Sequence, residues 1–176
     1  MSKLSSLSRL SAKLLLSTAP AALAIAPTPA IAQTVVPGGN TNAGTVSSGV
    51  VQSGSGPTFS GATSNTGAAD TSTITLGSPA TVLNWNGFTL SSGDTLNFVF
   101  GSNTDIVLNR VDGASAATIN GSVYGRIGST VGASGGNLWF LAPGGIMVGS
   151  TATINAGGLL PSGGHPTHTD FFNGHL

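Results

Sequence analysis

Residues 137–160 read NLWFLAPGGIMVGSTATINAGGLL, and this stretch decides the fold. It divides into three short extended runs, Leu138 to Leu141, Ile146 to Val148 and Ala152 to Ile154. Pro143-Gly144-Gly145 parts the first two, and Gly149-Ser150 parts the last two. Each run is too short for a helix, and Gly and Pro break helical continuity between them. Leu138 to Leu141 is apolar without interruption, as in a strand covered on both faces. A backbone that turns every few residues and stacks on itself accounts for this rhythm. The expectation is an all-β chain, a right-handed parallel β-helix, with Leu138, Phe140 and Ile146 inside it and Gly145 and Gly149 at its turns.

The pattern extends upstream. From Thr71 strand signals are dense: Thr73 to Leu76 alternates polar and apolar, and Val82 to Trp85, Leu96 to Phe100 and Ile106 to Leu108 follow. Asn86-Gly87 is the strongest turn signal among them. Ala117-Thr118-Ile119-Asn120 recurs as Ala152-Thr153-Ile154-Asn155, and fixed-period repetition belongs to solenoids. At roughly 20 to 25 residues per coil, residues 33–176 would make about six coils. Asn120 and Asn155 then fall at strand-to-turn corners, where Asn tolerates left-handed backbone. Tyr124 and Arg126 face outward, while Trp85, Trp139 and the phenylalanines fill the interior. Residues 33–70, rich in Gly, Ser, Thr and Asn, read either as a linker or as an N-terminal cap of thin strands, with Val35-Val36, Val50-Val51 and Phe59 available to plug the end of a stack.

Charge narrows the function classes. Three of the five basic residues, Lys3, Arg9 and Lys13, precede the apolar run Leu14 to Ala26. That run is too short to span a bilayer. It is followed by Ala30-Ile31-Ala32, so residues 1–32 read as a secretory signal peptide cleaved between Ala32 and Gln33. Beyond it the only bases are Arg110 and Arg126, against Asp70, Asp94, Asp105, Asp112 and Asp170. A domain this poor in cations has no electrostatic footing for nucleic acid. Export compartments permit disulfides, yet the chain has no cysteine and can be threaded linearly through a pore.

The residues quoted above also carry a resemblance. Pro143, Gly145, Ile146, Gly149, Ala152, Asn155, Gly157, Gly158 and Leu159 resemble the signature of the secretion domain of filamentous haemagglutinin-like exoproteins, the secreted member of two-partner secretion systems. Asn109-Arg110-Val111, followed by Ile119-Asn120-Gly121, looks like the family's second block. Ala142 and Gly144 stand where the family has asparagines; Gly144 can still supply a positive φ for a tight turn, and Gly145 and Gly149 are the turn positions where a Cβ at positive φ is expected to be strained. The resemblance implies a β-helical core over residues 71–160 that an outer-membrane barrel transporter recognises as an extended segment, by strand addition. It implies Sec-dependent entry to the periplasm and release to the cell surface or medium. The alternative is a freestanding extracellular β-helix that binds glycans or host surfaces. Residues 161–176 read as a divergent or truncated, solvated tail.

Other chemistry is weaker. His165, His168 and Asp170 offer metal-ligand types without a metal-site spacing, so no metal or cofactor is expected. Asp94, Asp105 and Asp112 sit beside glycines or in turns, where Asp serves the backbone. No catalytic constellation stands out and the expectation is a protein that is not an enzyme. Arg110 is expected to pair with Asp105 or Asp112 across a turn.

Overall fold

A computed structural model of the chain describes residues 34–36, 38–63, 67, 69–112, 114, 116–164 and 167–173. Residues 1–33, with the expected signal peptide and its expected cleavage point between Ala32 and Gln33, lie outside the described residues, as does His165. The chain begins with β1 (Thr34–Val36), β2 (Gly39–Thr41), β3 (Gly44–Val51) and β4 (Ser55–Gly61). After β5 (Thr71–Gly77) it winds through β6 (Ala80–Trp85), β7 (Thr89–Leu90) and β8 (Thr95–Phe100). The next coil is β9 (Ile106–Val111), β10 (Ala117–Ile119) and β11 (Ser122–Ile127). A third follows as β12 (Asn137–Leu141), β13 (Ile146–Val148) and β14 (Thr153–Asn155). Then come β15 (Gly158–Ser162) and a short helix, α1 (His168–Phe172).

Strands three apart in this order lie side by side and parallel, which makes a three-walled β-solenoid. One wall is β5-β8-β11-β14, a second is β6-β9-β12-β15, and the narrow third is β7-β10-β13. Thr71, Thr95, Ser122 and Thr153 stack in register along the first wall. Every second residue points inward. Along the second wall Val107 lies beneath Leu138, and Leu83, Asn109 and Phe140 form the next inward column. Leu96 and Val123 pair on the first wall and are fully buried, as is Phe98, whose column passes under Gly125. Inside, Trp85 meets Phe88 edge-on at 4.9 Å and Phe88 meets Phe140 at 5.3 Å. Such edge-to-face contacts are the favoured geometry of aromatic pairs.

There are three full coils, against the six expected. Two physical reasons account for the difference. Residues 34–61 are not coils at all: β3 lies antiparallel on β6 and β4 antiparallel on β5, closing one end of the stack. Val46 and Val51 are buried in this cap, and Phe59 packs against the core directly over Gly39, where a Cβ would stand 2.5 Å from the ring. Antiparallel cover pairs the edges that β5 and β6 would otherwise leave open at this end. The coil that holds residues 128–136 is also longer than the roughly 20 to 25 residues expected, because those residues form a long corner after β11.

The repeated Ala-Thr-Ile-Asn is not a coil equivalence. Thr118 lies in the third wall between Thr89 and Met147, whereas Ile154 lies in the first wall over Val123. Both copies do end at a corner, where an inward Ile followed by Asn suits any strand-to-turn step. The similarity is local.

Two expectations for aromatic residues are corrected. Trp139 faces out of the coil, because it sits between inward Leu138 and Phe140 in an alternating strand. The segment after β15 is not a solvated tail. Phe171 and Phe172 of α1 are buried against Val50, Val82, Leu108 and Leu141 on the outer side of the second wall. The Trp139 and Phe171 rings meet edge-on at 5.4 Å. Thr167 caps this helix: its hydroxyl accepts from the Asp170 amide at 3.1 Å, and the Asp170 carboxylate accepts from the Thr167 amide at 2.9 Å. That reciprocal box fixes the helix start.

Candidate functional site

The residues singled out by sequence do not converge on a pocket. They occupy three kinds of position in the coil, and each kind has its own physics.

Asn109 and Val111 point inward. Asn109 is fully buried, and its side-chain oxygen accepts from the Trp85 indole N–H at 3.1 Å. Its amide nitrogen donates to the Trp139 carbonyl at 3.3 Å. One side chain therefore joins three successive strands of the second wall, and it satisfies the indole donor that would otherwise be orphaned in an apolar interior. Val111 stacks beside Trp85. Ile146 lies over Ala117 and packs on the core, but it remains partly exposed because it belongs to the last coil.

Pro143, Gly145, Gly149, Asn155, Gly157 and Gly158 make the corners. Ala142 to Gly145 is a tight turn closed by a 2.8 Å bond from the Gly145 amide to the Ala142 carbonyl. The positive φ falls on Gly145, at 97°, as expected of that turn position, and Gly144 does not need one. Gly149 is required for a different reason: its φ is ordinary, but a Cβ there would collide with the Asn120 side-chain oxygen. Gly157 and Gly158 pass close to the corner below, and their amides both donate to the Gly136 carbonyl, at 2.8 and 3.2 Å. Gly136 in turn has φ 70° and lies against the Phe100 ring. Asn155 is exposed and accepts a hydrogen bond from the Ser134 hydroxyl, tying a corner to the long loop beneath it.

Arg110 faces outward, and the structure gives it a partner the sequence did not suggest. Its Nη1 lies 3.2 Å from Nε2 of His168 in α1. Burial and the Arg110 charge, in that order, hold the His168 pKa below its ordinary value. The link between residues 58 apart was invisible because α1 was read as tail. Thr167-x-x-Asp170 before Phe171-Phe172 was the sequence signal that could have found the helix.

The aspartates are held in separate corners. Asp94 accepts from the Asp70 amide at 3.0 Å, and Asp105 accepts from the Ser102 amide at 2.9 Å within its own turn. Tyr124 and Arg126 share the outer face of the first wall, with the guanidinium 4.5 Å from the ring centroid. At the seam of the cap and the first coil lies an open polar groove of about 690 Å³, lined by Asn40, Asn42, Thr45, Asn86 and Thr89 among others.

Inward amide, close-packed glycine corners and an outer wall clamped by a terminal helix together define a small capped parallel β-solenoid whose motif residues build the coil. The chain belongs to the TPS secretion domain family, whose model matches residues 37–175. No curated protein matches it. As a TPS secretion domain it has the secretion-targeting role in two-partner secretion. Its partner is the outer-membrane transporter of the pair, and it is exported to the cell surface or medium.

Proposed function

We propose that this domain targets a haemagglutinin-like exoprotein in three stages. Residues 1–32 act as a signal peptide, removed between Ala32 and Gln33 after Sec machinery has delivered the chain to the periplasm. The periplasmic part of the transporter then takes the chain while it is extended, adding one of its strands to an unpaired edge. The coil closes only after exit. In this reading the domain performs no catalysis, and its aspartates serve turns.

The observation that supports this order is the distance along the chain between paired strands. Every coil-to-coil pair joins residues at least 21 positions apart, as in Asn137 with Gly158, and most are wider, as in Ser122 with Thr153. Non-local pairing of this kind slows folding. The absence of cysteine leaves no cross-link to hold a premature coil. Slow closure favours a chain still open when it meets the transporter.

The test is co-expression with the cognate transporter and measurement of released protein. Leu138→Asp, which places a charge in a fully buried site, should leave protein associated with the cell. Val131→Asp, at a position 92% exposed, should be released normally. Equal release of both would show that coil closure is irrelevant to export.

A further inference from the structure

The outer side of the second wall carries an apolar strip, Val82, Leu108, Leu141 and Trp139, that α1 covers with Phe171 and Phe172. A five-residue helix has little stability of its own. Its place is held by this aromatic packing, by the Thr167–Asp170 box and by polar contact with the wall that includes Arg110 to His168. Arginine has no acceptor and keeps its charge at all working pH values, so in the 3.2 Å contact Nη1 donates and Nε2 must accept. His168 is therefore neutral, with its proton on Nδ1.

We infer that α1 is a pH-sensitive clasp, released from the second wall when His168 takes up a proton opposite Arg110. Protonation at Nε2 turns the acceptor into a donor and sets two cations against each other at hydrogen-bond distance. The other charged group in this turn, Asp170, has its carboxylate engaged by the Thr167 amide and hydroxyl, at 2.9 and 2.7 Å. Among the described residues, Arg110 is the charge that acts on His168 from the wall. The sign follows from the neutral form being the docked one. Docking is at full strength above the ordinary histidine pKa of 6.5 and weakens as pH falls from there through the lowered value. Release would uncover Trp139 and the strip beneath it while the coil interior, packed independently, stays folded.

Proton NMR on the full chain tests this with two readouts, the His168 imidazole shift and the cross-peaks between the Trp139 and Phe171 rings. The cross-peaks should disappear as pH falls through the His168 midpoint, and that midpoint should lie below 6.5. His168→Gln keeps an acceptor and cannot charge, so its cross-peaks should persist across the range. Arg110→Gln should move the midpoint up toward 6.5. Cross-peaks that survive His168 protonation in the unaltered chain would overturn the clasp. Their loss at the same pH in His168→Gln would also overturn it, because the titrating group would then lie elsewhere.

Discussion

The Trp85 indole and the Asn109 side-chain amide, 24 residues apart in sequence, are hydrogen-bonded at 3.1 Å inside the coil. Neither group has access to water. Replacing Asn109 by Leu would remove the acceptor and leave the indole N–H orphaned. Urea unfolding should show a loss of about 1 to 3 kcal/mol at unchanged m-value. A loss below a few tenths would mean that the indole finds another acceptor.

Core truncations should grade with position in the stack. Phe140, in β12, is buried with β15 lying over it and meets Phe88 edge-on, so Phe140→Ala should cost about 3 to 5 kcal/mol. Ile146 sits on the last coil, half open, and Ile146→Ala should cost well under the roughly 2 kcal/mol that begins the range for a fully buried site. Equal midpoints for the two variants would contradict the burial pattern.

Three glycines should separate by cause. Gly145 has a positive φ but open space around its missing Cβ, so Gly145→Ala should cost only about 1 kcal/mol of backbone strain. At Gly136 a positive φ combines with the Phe100 ring lying where the Cβ would go, and Gly136→Ala should be the worst of the three. Gly149→Ala has to push the Asn120 side chain away, which a rotamer change can absorb; its effect should fall between the others. Thermal midpoints of the three single variants give the order.

Phe171→Ala should loosen α1 without unfolding the coil. A truncation of a core Phe costs about 3 to 5 kcal/mol, but a peripheral helix can lose no more than its own docking free energy. Hydrogen exchange should therefore rise at residues 168–172 while protection in β8 and β11 is unchanged. A matching rise in β11 would make α1 part of the main cooperative unit.

The processed protein should begin at Gln33. Mass spectrometry of released material checks this directly, and an intact Met1 in that material would remove the signal peptide from the account.

Much of the coil was legible because its inward residues are aliphatic or aromatic and its corners are glycine or asparagine. Leu138 to Leu141 announced a strand with cover on both sides, although the cover on the outer side is α1 and not a sheet. Asn86-Gly87 marked a true corner between β6 and β7. What escaped notice was relational. Asn109 is polar, and nothing local says that it points inward; only the alternation with Val107 and Val111 and the distant Trp85 put it there. The Ala-Thr-Ile-Asn copies share a local preference and not a wall, since walls are assigned by how long each preceding corner happens to be. Trp139 was read as interior because hydrophobicity does not tell the two faces of a doubly covered strand apart.

The antiparallel cap has a further consequence when the solenoid is viewed as a one-dimensional polymer. A coil cannot nucleate cheaply on its own, because its first turn has no neighbour to pair with. The cap supplies that neighbour, β4 pairing with the strand that follows it and β3 reaching β6 across 30 to 39 residues. Every later coil then adds to a finished template, and the loop it must close is always about one coil long. For some 30 residues that entropic cost is roughly 3 kcal/mol, and it does not grow as the stack lengthens. Elongation is then expected to run from β5 toward β15, so pulse-labelled hydrogen exchange should protect β5 and β6 before β14 and β15.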